Sequence, residues 1–93
     1  MERHGRYPLF VTYDSEADAL YVQLLSTEDG VFGTDDIDYL RYVDYDEGGH
    51  VIGVEFLGVS RGIDLTGVPE AARVAEAIRS LPKVAALLID PAA

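Results

Sequence analysis

The sequence predicts an α+β domain: an antiparallel meander of four to five strands with a C-terminal amphipathic helix on one face. Three observations carry that expectation. Short segments alternate apolar and polar residues and are rich in β-branched and aromatic side chains, as half-buried strands are. Turn signals separate these segments: the acidic run at 14–18, Thr27-Glu28-Asp29-Gly30, and Glu47-Gly48-Gly49-His50. After Pro69, the residues Ala71, Val74, Ala75, Ile78 and Leu81 recur at three- and four-residue spacing, which is the stripe of a helix with one buried face.

Taken in order, Met1 to Arg6 is polar and expected to fray. Tyr7-Pro8 introduces a first strand, Leu9 to Tyr13, at a position where proline need not donate a ladder bond. Asp14-Ser15-Glu16-Ala17-Asp18-Ala19 breaks the alternation, because Asp and Ser side chains bond N–H groups just ahead of them and start a turn. A second strand, Leu20 to Ser26, sets Leu20, Val22 and Leu24 on one face and Tyr21, Gln23 and Leu25 on the other. Val31 to Thr34 reads as a short edge strand weakened by Gly33.

Tyr39 to Asp46 is the fourth strand, with Val43 and Tyr45 on one face and Leu40, Tyr42, Asp44 and Asp46 on the other. The paired glycines Gly48 and Gly49 supply the positive φ values a hairpin needs. The fifth strand, Val51 to Val59, points Ile52, Val54 and Phe56 one way; Gly58 leaves a gap on that face and Gly53 one on the other. Both faces of this hairpin carry apolar or aromatic groups. One helix covers one face, so the second is expected to meet another subunit or a partner. A Gly-containing connector, Ser60 to Val68, leads to Pro69 at the first helical position. Pro82 ends or kinks the helix, and the apolar run Val84 to Ile89 reads as further helix or as a short strand.

Two blocks stand out within this pattern. The first is Tyr13-Asp14 with Glu16-Ala17-Asp18-Ala19-Leu20-Tyr21-Val22; the second is Val43-Asp44-Tyr45-Asp46 with Ile52-Gly53-Val54-Glu55. In this order they resemble the small bacterial and archaeal family DUF2283, a domain of unknown function, over about residues 9 to 60. The resemblance implies a compact β-rich domain without an established activity. Some members look like the small neighbour of a toxin-like protein, which implies an antitoxin-like role. Residues from Gly62 onward lie outside the resemblance, and 69–90 is expected as a helical extension of a single domain spanning 1–93.

A chain of 93 residues suits one domain. A hydrophobic content of 48 % excludes a disordered chain. The absence of cysteine removes disulfide and thiolate chemistry. No apolar run approaches a membrane span and the start lacks a signal-peptide pattern, so a cytoplasmic protein is expected. The net charge of −10 is unevenly spread: residues 14–55 hold twelve acids against Arg41 alone, whereas 56–93 is neutral. Such a surface repels nucleic-acid phosphates and attracts a basic protein. The plainer alternative is that the acids keep a small protein soluble.

The carboxylates at Asp14, Glu16 and Asp18 alternate like the start of a calcium loop. Ala19 stands where that loop needs Gly and Leu25 where it needs Glu, so the residues read as turn caps. Asp35, Asp36 and Asp38 are weak candidates for a hard cation, because neighbouring strand residues diverge and only a turn would gather them. Histidine is the side chain suited to proton transfer near neutrality without a shift; of the two here, His4 falls in the frayed start and His50 in a hairpin turn. Ser15, Ser26, Ser60 and Ser80 have no activating neighbour in sequence, and no Gly-rich phosphate loop is present. Neither catalytic residues nor a cofactor are expected.

Five tyrosines, Tyr13, Tyr21, Tyr39, Tyr42 and Tyr45, fall in strands. Their apolar bodies and polar tips suit interfaces, although β-propensity and packing account for tyrosine in strands as well. The sequence therefore points to a non-enzymatic interaction module that forms a homo-oligomer, a dimer or larger, with Tyr21, Tyr42, Val84, Leu87 and Leu88 at interfaces. The alternative is a small metal- or ligand-binding protein that uses the clustered carboxylates.

Overall fold

The structure, a computed structural model, describes residues 10–26 and 30–89. The expectations for His4, Tyr7-Pro8, Leu9, the turn at Thr27-Glu28-Asp29 and the end of the C-terminal extension past Ile89 lie outside the described residues.

Five strands, β1 (Phe10–Asp14), β2 (Ala19–Gln23), β3 (Gly33–Asp38), β4 (Arg41–Tyr45) and β5 (Val51–Leu57), are followed by helices α1 (Ala71–Arg79) and α2 (Pro82–Ala85). The strands form one antiparallel sheet in the order β1-β2-β5-β4-β3. The α+β class stands, but the simple meander does not: β2 pairs with β1 and β5, and β3 lies at the far edge. Burial accounts for the reordering. Ile52, Val54 and Phe56 of β5 need apolar neighbours on both sides, so this strand takes the centre, with Leu20 opposite Phe56 and both Val22 and Val43 opposite Val54. The acidic β3 takes an edge, where charge is readily solvated and discourages pairing with a further strand.

The side chains alternate as the strand period requires. Leu20, Val22, Val43, Val54 and Phe56 are almost wholly buried and share one cluster with Leu24, Val59, Ile63 and Val68. Val74, Ala77 and Ile78 from α1 and Val84 from α2 belong to the same cluster. Each large apolar side chain buried there contributes roughly 1.5–3 kcal/mol relative to an exposed position.

Three local expectations are corrected. The third strand is not confined to 31–34 but runs from Gly33 to Asp38, with a bulge between Asp36 and Asp38, so the acid cluster lies within a strand. Pro69 does not open the helix: Glu70 adopts a left-handed conformation, φ 58°, and the helix begins at Ala71. The run after Pro82 is neither all helix nor all strand. Pro82 opens the short α2, and Leu88 then forms a parallel bridge with Ile63, whose N–H donates to the Leu87 carbonyl at 2.7 Å.

The connections are held by carboxylates. Asp14 Oδ1 accepts the N–H groups of Glu16 and Ala17 at 3.0 and 3.1 Å, closing the first turn. Asp18, at φ 55°, reaches 42 residues along the chain: its carboxylate accepts the Ser60 N–H at 2.8 Å and the Ser60 hydroxyl at 2.7 Å. Asp46 closes the β4–β5 hairpin by accepting the His50 N–H at 2.8 Å.

Candidate functional site

The sheet has two chemically different faces. One carries the apolar cluster. On the other, the register sets Thr12, Tyr21, Glu55, Tyr42 and Asp36 side by side in a single row across all five strands. Directly opposed residues lie about 4.5–5.5 Å apart at Cβ, so the row alternates phenol and carboxylate at contact spacing: Tyr21, Glu55, Tyr42, Asp36. The next row is Phe10, Gln23, Gly53, Asp44 and Thr34.

Tyr21 links the two rows. Its ring leans from β2 across β5, above Gly53, and its hydroxyl donates to Asp44 Oδ2 on β4 at 2.9 Å. A methyl group at position 53 would overlap the Tyr21 hydroxyl and Cζ, so only glycine admits this crossing. Asp44 is held from its other side by the Thr34 hydroxyl, which donates to Oδ1 at 2.7 Å. Partial burial pushes the Tyr21 phenol well above its ordinary value, with the Asp44 carboxylate adding to the effect through its hydrogen bond and its charge. The phenol is therefore a fixed, protonated donor. The Tyr42 hydroxyl donates to the Tyr39 carbonyl at 3.1 Å.

The four carboxylates on this face, Asp14, Asp36, Asp44 and Glu55, meet no lysine or arginine in the strand register. Arg41, the one lysine or arginine between residues 14 and 55, pairs in register with Phe56 on the apolar side. There its Nε and Nη2 bond Asp38 Oδ2 at 3.1 and 2.8 Å, and its Nη1 bonds the carbonyls of Asp64 and Thr66. The Arg41 guanidinium and the Leu40 N–H hold the Asp38 carboxyl below the usual aspartate range. Asp64 is lowered by the Thr66 N–H, and Asp46 by that of His50. A cleft of about 190 Å³ beside Arg41, bounded also by Leu40, Gly58, Arg61 and Gly62, contains carboxylates and guanidiniums in equal number.

The residues expected at interfaces separate into two groups. Tyr21 and Tyr42 share the polar row and flank Glu55. Val84 is fully buried in the chain's own core, and Leu87 and Leu88 pack against that core in part. Asp35 pairs with Val43 and Asp36 with Tyr42, on opposite faces, while Asp38 is engaged by Arg41; the three carboxylates do not converge. Among the described residues no group of three or more His, Cys, Asp or Glu is placed to hold a metal ion. His50 is exposed, with Nδ1 3.1 Å from Asp46 Oδ2. Sequence reasoning passed over Glu55, Asp44 and Thr34. Their alternation was legible, but their proximity to Tyr21 depends on β5 lying between β2 and β4.

This arrangement defines a small α+β protein whose antiparallel sheet buries one face and presents, on the other, tyrosines among carboxylates that meet no lysine or arginine in the described strand register. The family described as "Protein of unknown function (DUF2283)" matches residues 11–60, more than half of the 93-residue chain, and the chain belongs to that family. No curated protein and no solved structure matches the chain. The matched span includes the first turn with Asp14 and Asp18, the crossing of Tyr21 over Gly53, and Ser60, which anchors Asp18.

Proposed function

We propose that the protein is a non-enzymatic interaction module that presents its tyrosine-bearing acidic sheet face to a basic protein. The observation that carries this reading is the row Tyr21-Glu55-Tyr42-Asp36, with Asp44 beside it and no cation among the residues that share the face in register. Tyrosine gives contact area at low entropic cost, and the carboxylates steer a cationic partner and favour its approach. In this reading α1 covers the apolar face, through Val74, Ala77 and Ile78, and leaves the polar face for the partner.

Charge favours a basic partner over a second copy on this face. Two such faces brought together would set Glu55, Asp36 and Asp44 against their counterparts, and like charges directly opposed are destabilising. The homo-oligomer expected from the sequence would then use a different surface. An antitoxin-like pairing with a basic, toxin-like protein in the cytoplasm is the form this reading takes if the family resemblance extends to function. Among the described residues, no helix is long and apolar enough to cross a membrane.

The test is calorimetric titration of the full chain with a polybasic peptide at two salt concentrations. Raising the salt from about 0.1 M to about 1 M shortens the screening length from ~10 Å to ~3 Å, and binding should weaken accordingly. Glu55→Gln with Asp36→Asn should weaken it at low salt. Absence of any binding at low salt would sink the reading.

A further inference from the structure

We infer that the Tyr21-Glu55-Tyr42 segment of the sheet is an arginine-accepting site, so that the partner docks through arginine rather than lysine side chains. The inference deepens the proposed interaction face and rests on it. Glu55 stands between Tyr21 and Tyr42 in one cross-strand row, about 5 Å from each at Cβ, and the Tyr21 ring, which leans over Gly53 to Asp44, lies within the field of both carboxylates. A guanidinium is planar and weakly hydrated. It can bond a carboxylate through two parallel N–H groups while its faces lie against aromatic rings. An ammonium is a compact, strongly hydrated point charge; it can donate to the carboxylate and approach a ring, but it has neither a planar fork to engage both oxygens nor a flat face to stack. A carboxylate with aromatic rings beside it therefore favours the guanidinium, which gains an aromatic face in addition to the paired hydrogen bonds.

Two further features fit an arginine site. Tyr21 is pinned at its tip by Asp44 and crosses Gly53, so it does not have to be ordered when a ligand arrives; pre-ordering of this kind lowers the cost of binding. No described residue forms an ion pair with Glu55 or Asp36, whereas the chain's own Arg41 is engaged on the opposite side by Asp38 and two carbonyls.

The experiment titrates the full ¹⁵N-labelled chain with two peptides of equal length and charge, one built on arginine and one on lysine, and follows amide shifts. The arginine peptide should bind roughly tenfold tighter, a difference of about 1.4 kcal/mol, with the largest shifts at Tyr21, Glu55 and Tyr42. Glu55→Gln and Tyr42→Leu should each remove most of that preference, while Glu76→Gln on the exposed side of α1 should leave it intact. Equal affinity for the two peptides, or equal loss in the Glu76 variant, overturns the arginine site and leaves a diffuse acidic interaction face. Failure of both peptides to bind overturns the site and the interaction face together.

Discussion

The hydroxyl of Tyr21 donates to Asp44 at 2.9 Å by passing over Gly53, the one residue between them on the central strand. Three strands are tied by this crossing. It joins the two sequence blocks that carry the family resemblance and sets the position of the phenol beside Glu55.

Gly53→Ala should therefore disturb Tyr21 as much as β5 itself. The added methyl meets the phenol, and overpacking of this kind costs about 1–3 kcal/mol. In a Tyr21→Ala background the same change should cost much less. A double-mutant cycle by urea denaturation measures the coupling; additive effects would mean that the ring does not occupy the space above Gly53.

Alkaline pH gives an independent reading of the same contact. The folded-state pKa of Tyr21 is raised, so the native state binds the phenolic proton more tightly than the unfolded chain. The stability this contributes is complete below the ordinary value of 10.0 and is lost as pH rises beyond it. In an ultraviolet titration, Tyr21 should ionise only as the chain unfolds. Tyr21→Phe should flatten the fall of the melting temperature above about pH 10, at the loss of a hydrogen bond worth about 1 kcal/mol.

Acid titration should report on Asp38, Asp46 and Asp64. All three have lowered pKa values, by the Arg41 guanidinium, the His50 N–H and the Thr66 N–H respectively. Their stabilising contribution is present above the ordinary aspartate value of 3.8 and is lost as pH falls through the lower native values. Asp38→Asn should lower the melting temperature at neutral pH and reduce its dependence on pH in the acid range. An unchanged acid limb would show that the Asp38–Arg41 pair does not contribute in solution.

Val84→Ala should act on folding within one chain. Val84 is fully buried among the chain's own residues, and deleting buried methyl groups costs on the order of 1–3 kcal/mol. A chain ending at Leu81 should be destabilised further, since it also loses Leu87, Leu88 and the bridge to Ile63. Light scattering with thermal melts separates the possibilities: a large drop in mass with an unchanged melting temperature would place Val84 to Ile89 in an assembly contact instead.

Much of the fold was legible because it is local. The alternation at Leu20, Val22, Val54 and Phe56 identified the buried face, since adjacent strand residues must point in opposite directions. Gly48-Gly49 marked the hairpin, the spacing of Val74, Ala75 and Ile78 marked the helix, and Asp14 marked the turn it closes. The extent of β3 was less legible, because Asp35 and Asp36 have low strand propensity; pairing with β4 outweighs that preference.

The sequence by itself determined the class of the protein, the apolar face of each central strand, the excess of acid in residues 14–55 and the family. The tertiary structure alone decided that β5 lies between β2 and β4. That order depends on how the buried faces of strands distant in sequence are matched, and no local preference encodes it. Only this order brings Tyr21, Glu55 and Tyr42 into one row and draws Asp18, at the start of β2, onto Ser60, just past β5. The candidate site exists because of that pairing, although each of its residues could be seen in the sequence.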